Sequence, residues 1–385
     1  MKLIYLSHWR FPSQKTTTPF TLRTCEEFQK LGYTVELWIP RRKNPDDTGQ
    51  SLFDEYRISE QFRVRKLPAI DFTARLGKVG FLLMVASFNA SAFIALLFRS
   101  REGTILYGQD MRDTVLPGLL GLPLFVEIHD FYESSLTLVN RAVLKRATGL
   151  IVTNTLKIQR LHDAYGYPLE RMLHQPNAVD ASVFDSPRTR ASAREELGID
   201  SRLTIALYAG HLYSWKGVDT LVRAAAFLPE QIHVYLVGGT PEDRARLEEL
   251  TRRESIQRVT FIGHVSQTKI PLYLRAADVL VLPNTAKEEA SRIETSPVKL
   301  FEYIASGTPI VAADLPSIRE IVTDEHVLFA KPDTPQDFAE KIVATATGGA
   351  EVSARAREAK ELARRHSWEG RAAAISAFIQ KRVDA

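Results

Sequence analysis

The sequence is short of residues that staple or ligate. One cysteine, Cys25, stands among 385 residues, so no internal disulfide is possible, and no Cys/His spacing suits a metal. Both facts favour a reducing compartment and argue against structural zinc. No Asp-x-Asp pair suggests a metal-held diphosphate. Met1–Leu6 is too short an apolar run for a signal peptide, and no small-residue cleavage site follows it. The expected location is the cytoplasm, with peripheral attachment at the inner face of the cytoplasmic membrane as an option. Charge is nearly balanced, 50 Lys and Arg against 46 Asp and Glu. Residues 1–185 carry 23 basic and 19 acidic side chains, and the rest carry 27 of each. The basic excess is therefore N-terminal and includes Arg41-Arg42-Lys43, Arg63, Arg65 and Lys66. It reads first as a solvated face, and second as an attraction for anionic lipid or a phosphorylated acceptor. No basic helix, zinc finger or aromatic RNA-binding signature accompanies it, so no nucleic-acid partner is expected.

What is present is an ordinary globular composition, 45% hydrophobic and 25% charged, in a chain too long for one core. Lys2–Leu6, a polar loop, an amphipathic stretch to Leu31, and Thr34–Ile39 make a βαβ opening with a parallel sheet. Further strands are expected at 62–67, 104–107, 124–128 and 150–153. The pattern restarts at Leu203–Gly210 and continues through 233–237, 259–262, 279–282, 309–312 and 327–329. Two such arrays predict an α/β chain of two Rossmann-like domains facing one another across a cleft, with ligands at the carboxyl ends of the strands. The predicted boundaries are 1–185 and 186–368, with the break near Ser186-Pro187. Val79–Phe98 carries no charge and is read as a buried or half-buried helix of the first domain. A membrane span competes with that reading. So does a helix at the bilayer interface beside Lys78, Arg99 and Arg101, which suits a lipid-linked acceptor.

Two stretches carry chemistry. In Tyr208–Asp219 a strand runs into Gly210, then His211, and reaches Lys216 and Gly217 just before a helix. That puts a cation at the carboxyl edge of the sheet, with glycines permitting close backbone approach to phosphate. Its bland competitor is a solvated loop lysine. In Ser291–Ala313, Ser296-Pro297 reads as a capped helix start and Gly307 as its left-handed end. Glu294 stands before the helix and Glu302 within it, and Lys299 shares a face with Glu302. The free amides of that helix start are an anion site. Glu302 paired with Lys299 on a plain helix surface is the competing reading.

Together, YAGHLYSWKGVDTL (208–221), FIGHV (261–265) and ETSPVKLFEYIASGTPIVAADLPSIREIV (294–322) resemble the C-terminal domain of family 4 retaining glycosyltransferases, two-domain enzymes of the GT-B type. Glu127-Ile128-His129-Asp130 and Pro176–Asp180 resemble the first domain more loosely. His366-Ser367-Trp368-Glu369 and the run after it look like the family's last helix, about 369–385, which crosses back to the first domain. The resemblance implies that Glu302 accepts the ribose hydroxyls and Glu294 holds sugar hydroxyls near the reacting carbon. Lys216, with the amides after Ser296 and Pro297, offsets charge on the leaving diphosphate. Lys299 is a further phosphate contact, and the base lies near Gly263, His264 and Val265. Gly210 and His211 belong to the donor loop, and His129 faces the sugar as a catalytic residue.

Two departures stand out. The family commonly has arginine where His211 stands, and its first-domain loop usually has paired glycines. Ser7–Phe20 has none, leaving Lys15 or threonine hydroxyls as substitutes. The expected activity is retaining transfer from a nucleotide-diphosphate sugar to a glycan, lipid-linked or small-molecule hydroxyl, in polysaccharide or glycoconjugate biosynthesis. No cofactor and no metal are expected. The alternatives are a nucleotide-sugar epimerase or hydrolase of the same plan, and a non-catalytic nucleotide-sugar or glycan-binding module.

Overall fold

The computed structural model describes residues 1–13, 17–47, 49–129, 137–185 and 187–384. Lys15, Asp130 and Ser186, which the sequence reading singles out, lie outside these. The chain divides into two compact units, Met1–Pro176 with Trp368–Ala385, and Asn177–Ser367.

The first unit is built on β1 (Lys2–Leu6), β2 (Thr34–Arg41), β3 (Arg63–Pro68), β4 (Thr104–Gly108), β5 (Leu124–Ile128), β6 (Gly149–Val152) and β7 (Met172–His174). They form one seven-stranded sheet in the order β3-β2-β1-β4-β5-β6-β7. Its pairings are parallel. Helices cover both faces of such a sheet, so β4, β5 and β6 are buried along their whole length, and their sequences are apolar apart from Thr104 and Glu127. The sequence pattern missed β7, three residues at the sheet edge.

The second unit holds β8 (Thr204–Ala209), β9 (Ile232–Val237), β10 (Val259–Gly263), β11 (Val279–Leu282), β12 (Ile310–Ala313) and β13 (Leu328–Ala330). Its six strands run in the order β10-β9-β8-β11-β12-β13. In each sheet the strand order reverses once, between β1 and β4 and between β8 and β11. In open parallel sheets the loops leaving the strands at such a switch point form a crevice for ligands.

The units change over at Pro176, earlier than the 185/186 boundary read from the sequence. The reason is local bonding. The Val179 amide donates to the His366 carbonyl at 2.9 Å, Val179 makes a parallel bridge to Ser367, and Phe184 packs into the second unit's core. The last helix, Trp368–Val383, is counted with the first unit. There it buries Ile375 and Ile379, and Tyr33 and Ser376 share a hydrogen bond of 2.8 Å.

The uncharged run forms the helix Thr73–Leu97, kinked at Gly77. It is half-buried. Met84, Val85, Phe88, Ala92 and Leu96 face the core, whereas Leu76, Val79, Leu82, Leu83, Ile94 and Leu97 are exposed. Its polar residues fasten it to neighbouring segments: Ser91 donates to the Pro68 carbonyl at 2.7 Å and Asn89 to the Arg112 carbonyl at 2.8 Å. Among the described residues it is the one helix long and apolar enough to cross a membrane.

Candidate donor site in the second unit

β8 ends at Ala209, whose amide donates to the Tyr303 hydroxyl at 2.8 Å. Tyr303 lies in the helix Val298–Ser306, so the loop after β8 and the helix after β11 are tied at one sheet edge. Gly217 closes the loop with φ of 70°. A Cβ there would lie 2.0 Å from the Pro283 carbonyl oxygen at the end of β11, so only glycine fits both the dihedral and the space. At the next strand, Gly238 donates to the Gly263 carbonyl at 2.7 Å.

Within this frame His211 stacks on Tyr213, with ring centroids 4.9 Å apart, and Lys216 Nζ sits 3.8 Å from the Trp215 ring centre. Burial lowers the His211 pKa, and the positive charges of Lys216, Lys299 and His264 push it lower still, against the pull of Asp243. Its imidazole is therefore neutral at neutral pH. The same influences show that side chains from three separate loops, those after β8, β10 and β11, share one electrostatic neighbourhood.

The helix start differs from the sequence expectation. The helix begins at Val298 with Pro297 at the cap position and no side-chain cap. Ser296 is engaged elsewhere: its hydroxyl accepts from the Asn177 amide at 3.4 Å, and its carbonyl accepts from Asn177 Nδ2 at 2.6 Å. Ser296 thus anchors the chain's entry into the unit, while Val298 and Lys299 occupy the first turn, where N–H groups lack intrahelical acceptors. Gly307 ends the helix in the left-handed conformation, φ 70°, as expected. Lys299 Nζ and Glu302 Oε2 pair at 2.8 Å. Glu294 is half-buried at the end of a single wide turn, Ala290–Glu294. Buried Ser291 pins that turn, accepting from Asn284 Nδ2 at 3.3 Å and, through its carbonyl, from the Ser317 hydroxyl at 2.8 Å. Val265 packs partly buried against the core. Sequence reasoning missed Tyr303 and Arg246, whose guanidinium reaches the Leu212 carbonyl at 2.9 Å and Asp219 at 2.7 Å. Arg246 carries no local motif, and Tyr303, though inside the 294–322 motif, acts on Ala209, 94 residues away.

His129 belongs to the first unit, one residue past β5. Its Nε2 lies 2.8 Å from Glu127 Oε1, and Phe20 meets its ring edge-on at 4.5 Å between centroids. Glu127 is fully buried and also accepts from the Tyr107 hydroxyl at 2.7 Å and from Arg371 of the last helix. Burial alone would raise its pKa, but Arg371, His129 and Tyr107 together hold it at about 2. A permanent carboxylate on Nε2 fixes the ring's orientation, leaving Nδ1 as the other nitrogen.

Similarity to solved structures agrees with this architecture along nearly the whole chain. HepE of Anabaena, solved with UDP and glucose, superposes with a TM-score of 0.77 at 19% identity, over 99% of this chain and 100% of that one. Sucrose-phosphate synthase from Thermosynechococcus elongatus gives 0.80 at 19% identity, over 100% and 99%. The fold is α/β with two Rossmann-like units, the GT-B class. Residues 204–375 match the family model Glycosyl transferases group 1. Among relatives, a D-inositol 3-phosphate glycosyltransferase of Xylanimonas cellulosilytica is 28% identical over 60% of this chain and 57% of its own length. An alpha-D-kanosaminyltransferase of Streptomyces kanamyceticus is 29% identical over 54% and 56%. The chain thus spans little more than half the length of each.

Proposed function

We propose that this chain is an enzyme that moves a sugar from a nucleotide-diphosphate donor to a hydroxyl acceptor with retention of anomeric configuration. We place it in polysaccharide or glycoconjugate biosynthesis. The observation that carries the reading is the convergence of Lys216, Lys299, His211 and His264 at the switch point of the second sheet, beside the first turn of Val298–Ser306. Four donors and cations from three loops, with no strong carboxylate pairing for Lys216's loop neighbour His211, suit a diphosphate. The relatives' names as glycosyltransferases support group transfer over donor hydrolysis. HepE's bound UDP and glucose support a uridine diphosphate sugar as the first donor to test.

In this reading Glu302 accepts the ribose hydroxyls, and its ion pair with Lys299 aims it. Glu294 accepts sugar hydroxyls. Gly210, Gly263 and Val265 border the nucleoside through backbone, and His129 is the first-unit residue assigned to the sugar. The acceptor oxygen attacks the anomeric carbon as the bond to the diphosphate breaks, and the acceptor proton passes to the departing phosphate oxygen. Lys216 and the amides after Pro297 stabilise the charge that grows on that oxygen, which needs no metal. The acceptor is a glycan, a lipid-linked species or a small molecule. The exposed apolar stripe of Thr73–Leu97, with Arg75, Lys78 and Arg101 beside it, fits peripheral contact with an anionic bilayer. Cosedimentation with anionic but not neutral vesicles, lost on Leu82→Glu with Leu83→Glu, is the expected result.

The donor reading is tested by a thermal-shift screen over uridine, guanosine and adenosine diphosphate sugars, since a ligand of the native state raises its melting temperature. A donor-only assay separates the remaining enzyme reading. Free nucleotide and an altered sugar without any acceptor would make this an epimerase or hydrolase. Turnover by Lys216→Ala and Glu294→Ala at near-normal rates would sink the transfer mechanism.

A further inference from the structure

We infer that the first unit carries a second anion site, formed by Arg10 and Arg42, that takes a phosphate group on the acceptor; this rests on the transfer reading above. Arg10 lies four residues past Leu6 and Arg42 four residues past Trp38, and Leu6 and Trp38 are register partners on the adjacent parallel strands β1 and β2. Both arginines therefore leave the carboxyl edge of the sheet side by side. The two loops are also fastened together, because Asn44 Nδ2 donates to the Pro12 carbonyl at 2.8 Å. The Thr18 hydroxyl holds the Arg10 carbonyl at 3.0 Å, which fixes the backbone from which that side chain projects.

The guanidinium groups lack what buried cations normally have. Nε of Arg10 and both Nε and Nη1 of Arg42 are shielded from solvent and have no hydrogen-bond partner. No ion pair among the described residues includes either side chain. Burial first, and then the positive charge of Arg10, push the pKa of Arg42 down against the pull of Asp71. The acidic group facing them, Asp71, feels both charges but makes no ion pair with either; its Oδ1 accepts the Thr73 amide at 3.1 Å and hydroxyl at 2.6 Å.

Guanidinium nitrogens left shielded and unpartnered beside a like charge, as Nε of Arg10 and Nε and Nη1 of Arg42 are, are costly to keep unless an anion joins them. A phosphate matches the planar donor fork of each arginine and neutralises both. A solvated basic face, the competing account of this arginine-rich segment, would leave those nitrogens in water, and they are not. The shared chemistry is a phosphate ester. A soluble phosphorylated acceptor and a lipid-linked phosphate both supply it.

The test uses the full-length chain carrying Lys216→Ala, which silences the donor loop, titrated calorimetrically with inorganic phosphate and phenyl phosphate. Binding should persist in that background and weaken at least tenfold on adding Arg10→Gln or Arg42→Gln. In phosphate-free buffer those two substitutions should raise the melting temperature, because each relieves the like-charge contact, and should abolish the rise that phosphate causes. Vesicles containing phosphatidic acid form the second arm. Arginine-dependent binding to them and not to phenyl phosphate assigns the group to a lipid, and the reverse assigns it to a soluble acceptor. Phosphate binding unchanged by both arginine substitutions overturns the inference. Binding lost with Lys216→Ala alone does so too, and leaves the donor reading standing. A lowered phosphate-free melting temperature in the Gln and Lys variants of both positions would mark a structural role and also overturn it. Absence of sugar transfer with arginine-dependent phosphate binding intact would fail the transfer reading instead.

Discussion

The two units organise polar groups in opposite ways. In the second, the candidate donor residues come from short stretches of sequence: Gly210 to Gly217, and Glu294 to Glu302. The first stretch follows the end of β8 and the second lies between β11 and β12, so both belong to connections leaving one switch point. In the first unit the strongest polar cluster is assembled over long distances in sequence. Glu127 of β5 meets Arg371 of the last helix, and His8 after β1 meets Asp113 after β4 at 2.8 Å with both side chains fully buried.

The largest effect should fall on the long-range side of this contrast. Arg371→Met leaves Glu127 buried and ionised, and is expected to lower unfolding stability by about 3–5 kcal/mol, read by urea denaturation. The same pair sets a pH dependence. The Glu127 pKa is lowered to about 2, so its contribution is complete above the unfolded value near pH 4.5 and is lost as pH falls toward 2. The shift corresponds to roughly 3 kcal/mol. A Glu127→Gln variant should show a flatter stability profile across that window. If both variants unfold like the parent, the first unit does not depend on this pair.

Next in size, Lys216→Ala should cut kcat by about 10²–10³, the cost of removing one stabiliser of a developing oxyanion, with an unchanged circular dichroism melt. Glu302→Ala should chiefly weaken donor binding, by about 1.5–3 kcal/mol for hydrogen bonds to a charged group, seen in KM more than in kcat. An equal fall in both constants would move Glu302 from ribose binding to the chemical step. The smallest change is His211→Arg, which returns a full charge to the diphosphate loop. It should tighten nucleoside diphosphate binding by about twofold to fivefold, in the range of an exposed ion pair. No change there would show that Lys216 and the helix amides already meet the phosphate charge.

Much of the architecture could be read from periodicity. Apolar runs marked every strand except β7, whose Met172-Leu173-His174 is too brief and too mixed to stand out from a loop. The start of the Val298–Ser306 helix was misread for a physical reason. Ser-Pro is a sound local signal for a cap, but Asn177, 119 residues away, takes both the hydroxyl and the carbonyl of Ser296. Similarly, Val79–Phe98 announced a long apolar helix, and only packing decided which side chains were left outside. Ser87 and Asn89, which looked like polar interruptions, prove to be fasteners: the Ile70 amide donates to the Ser87 hydroxyl at 2.8 Å.

By itself the sequence determined two parallel βα arrays, the left-handed glycines at 217 and 307, and the local spacing of Lys216, Glu294, Lys299 and Glu302. Periods of two and 3.6 residues and glycine's dihedral freedom act over a few positions, so they are written locally. Tertiary structure alone decided that Glu127 stays ionised and His211 neutral, and that Arg10 and Arg42 share an edge with Nε of each shielded and unpartnered. Charge state and pairing depend on burial and on neighbours contributed by remote segments, and neither quantity exists until the chain has folded.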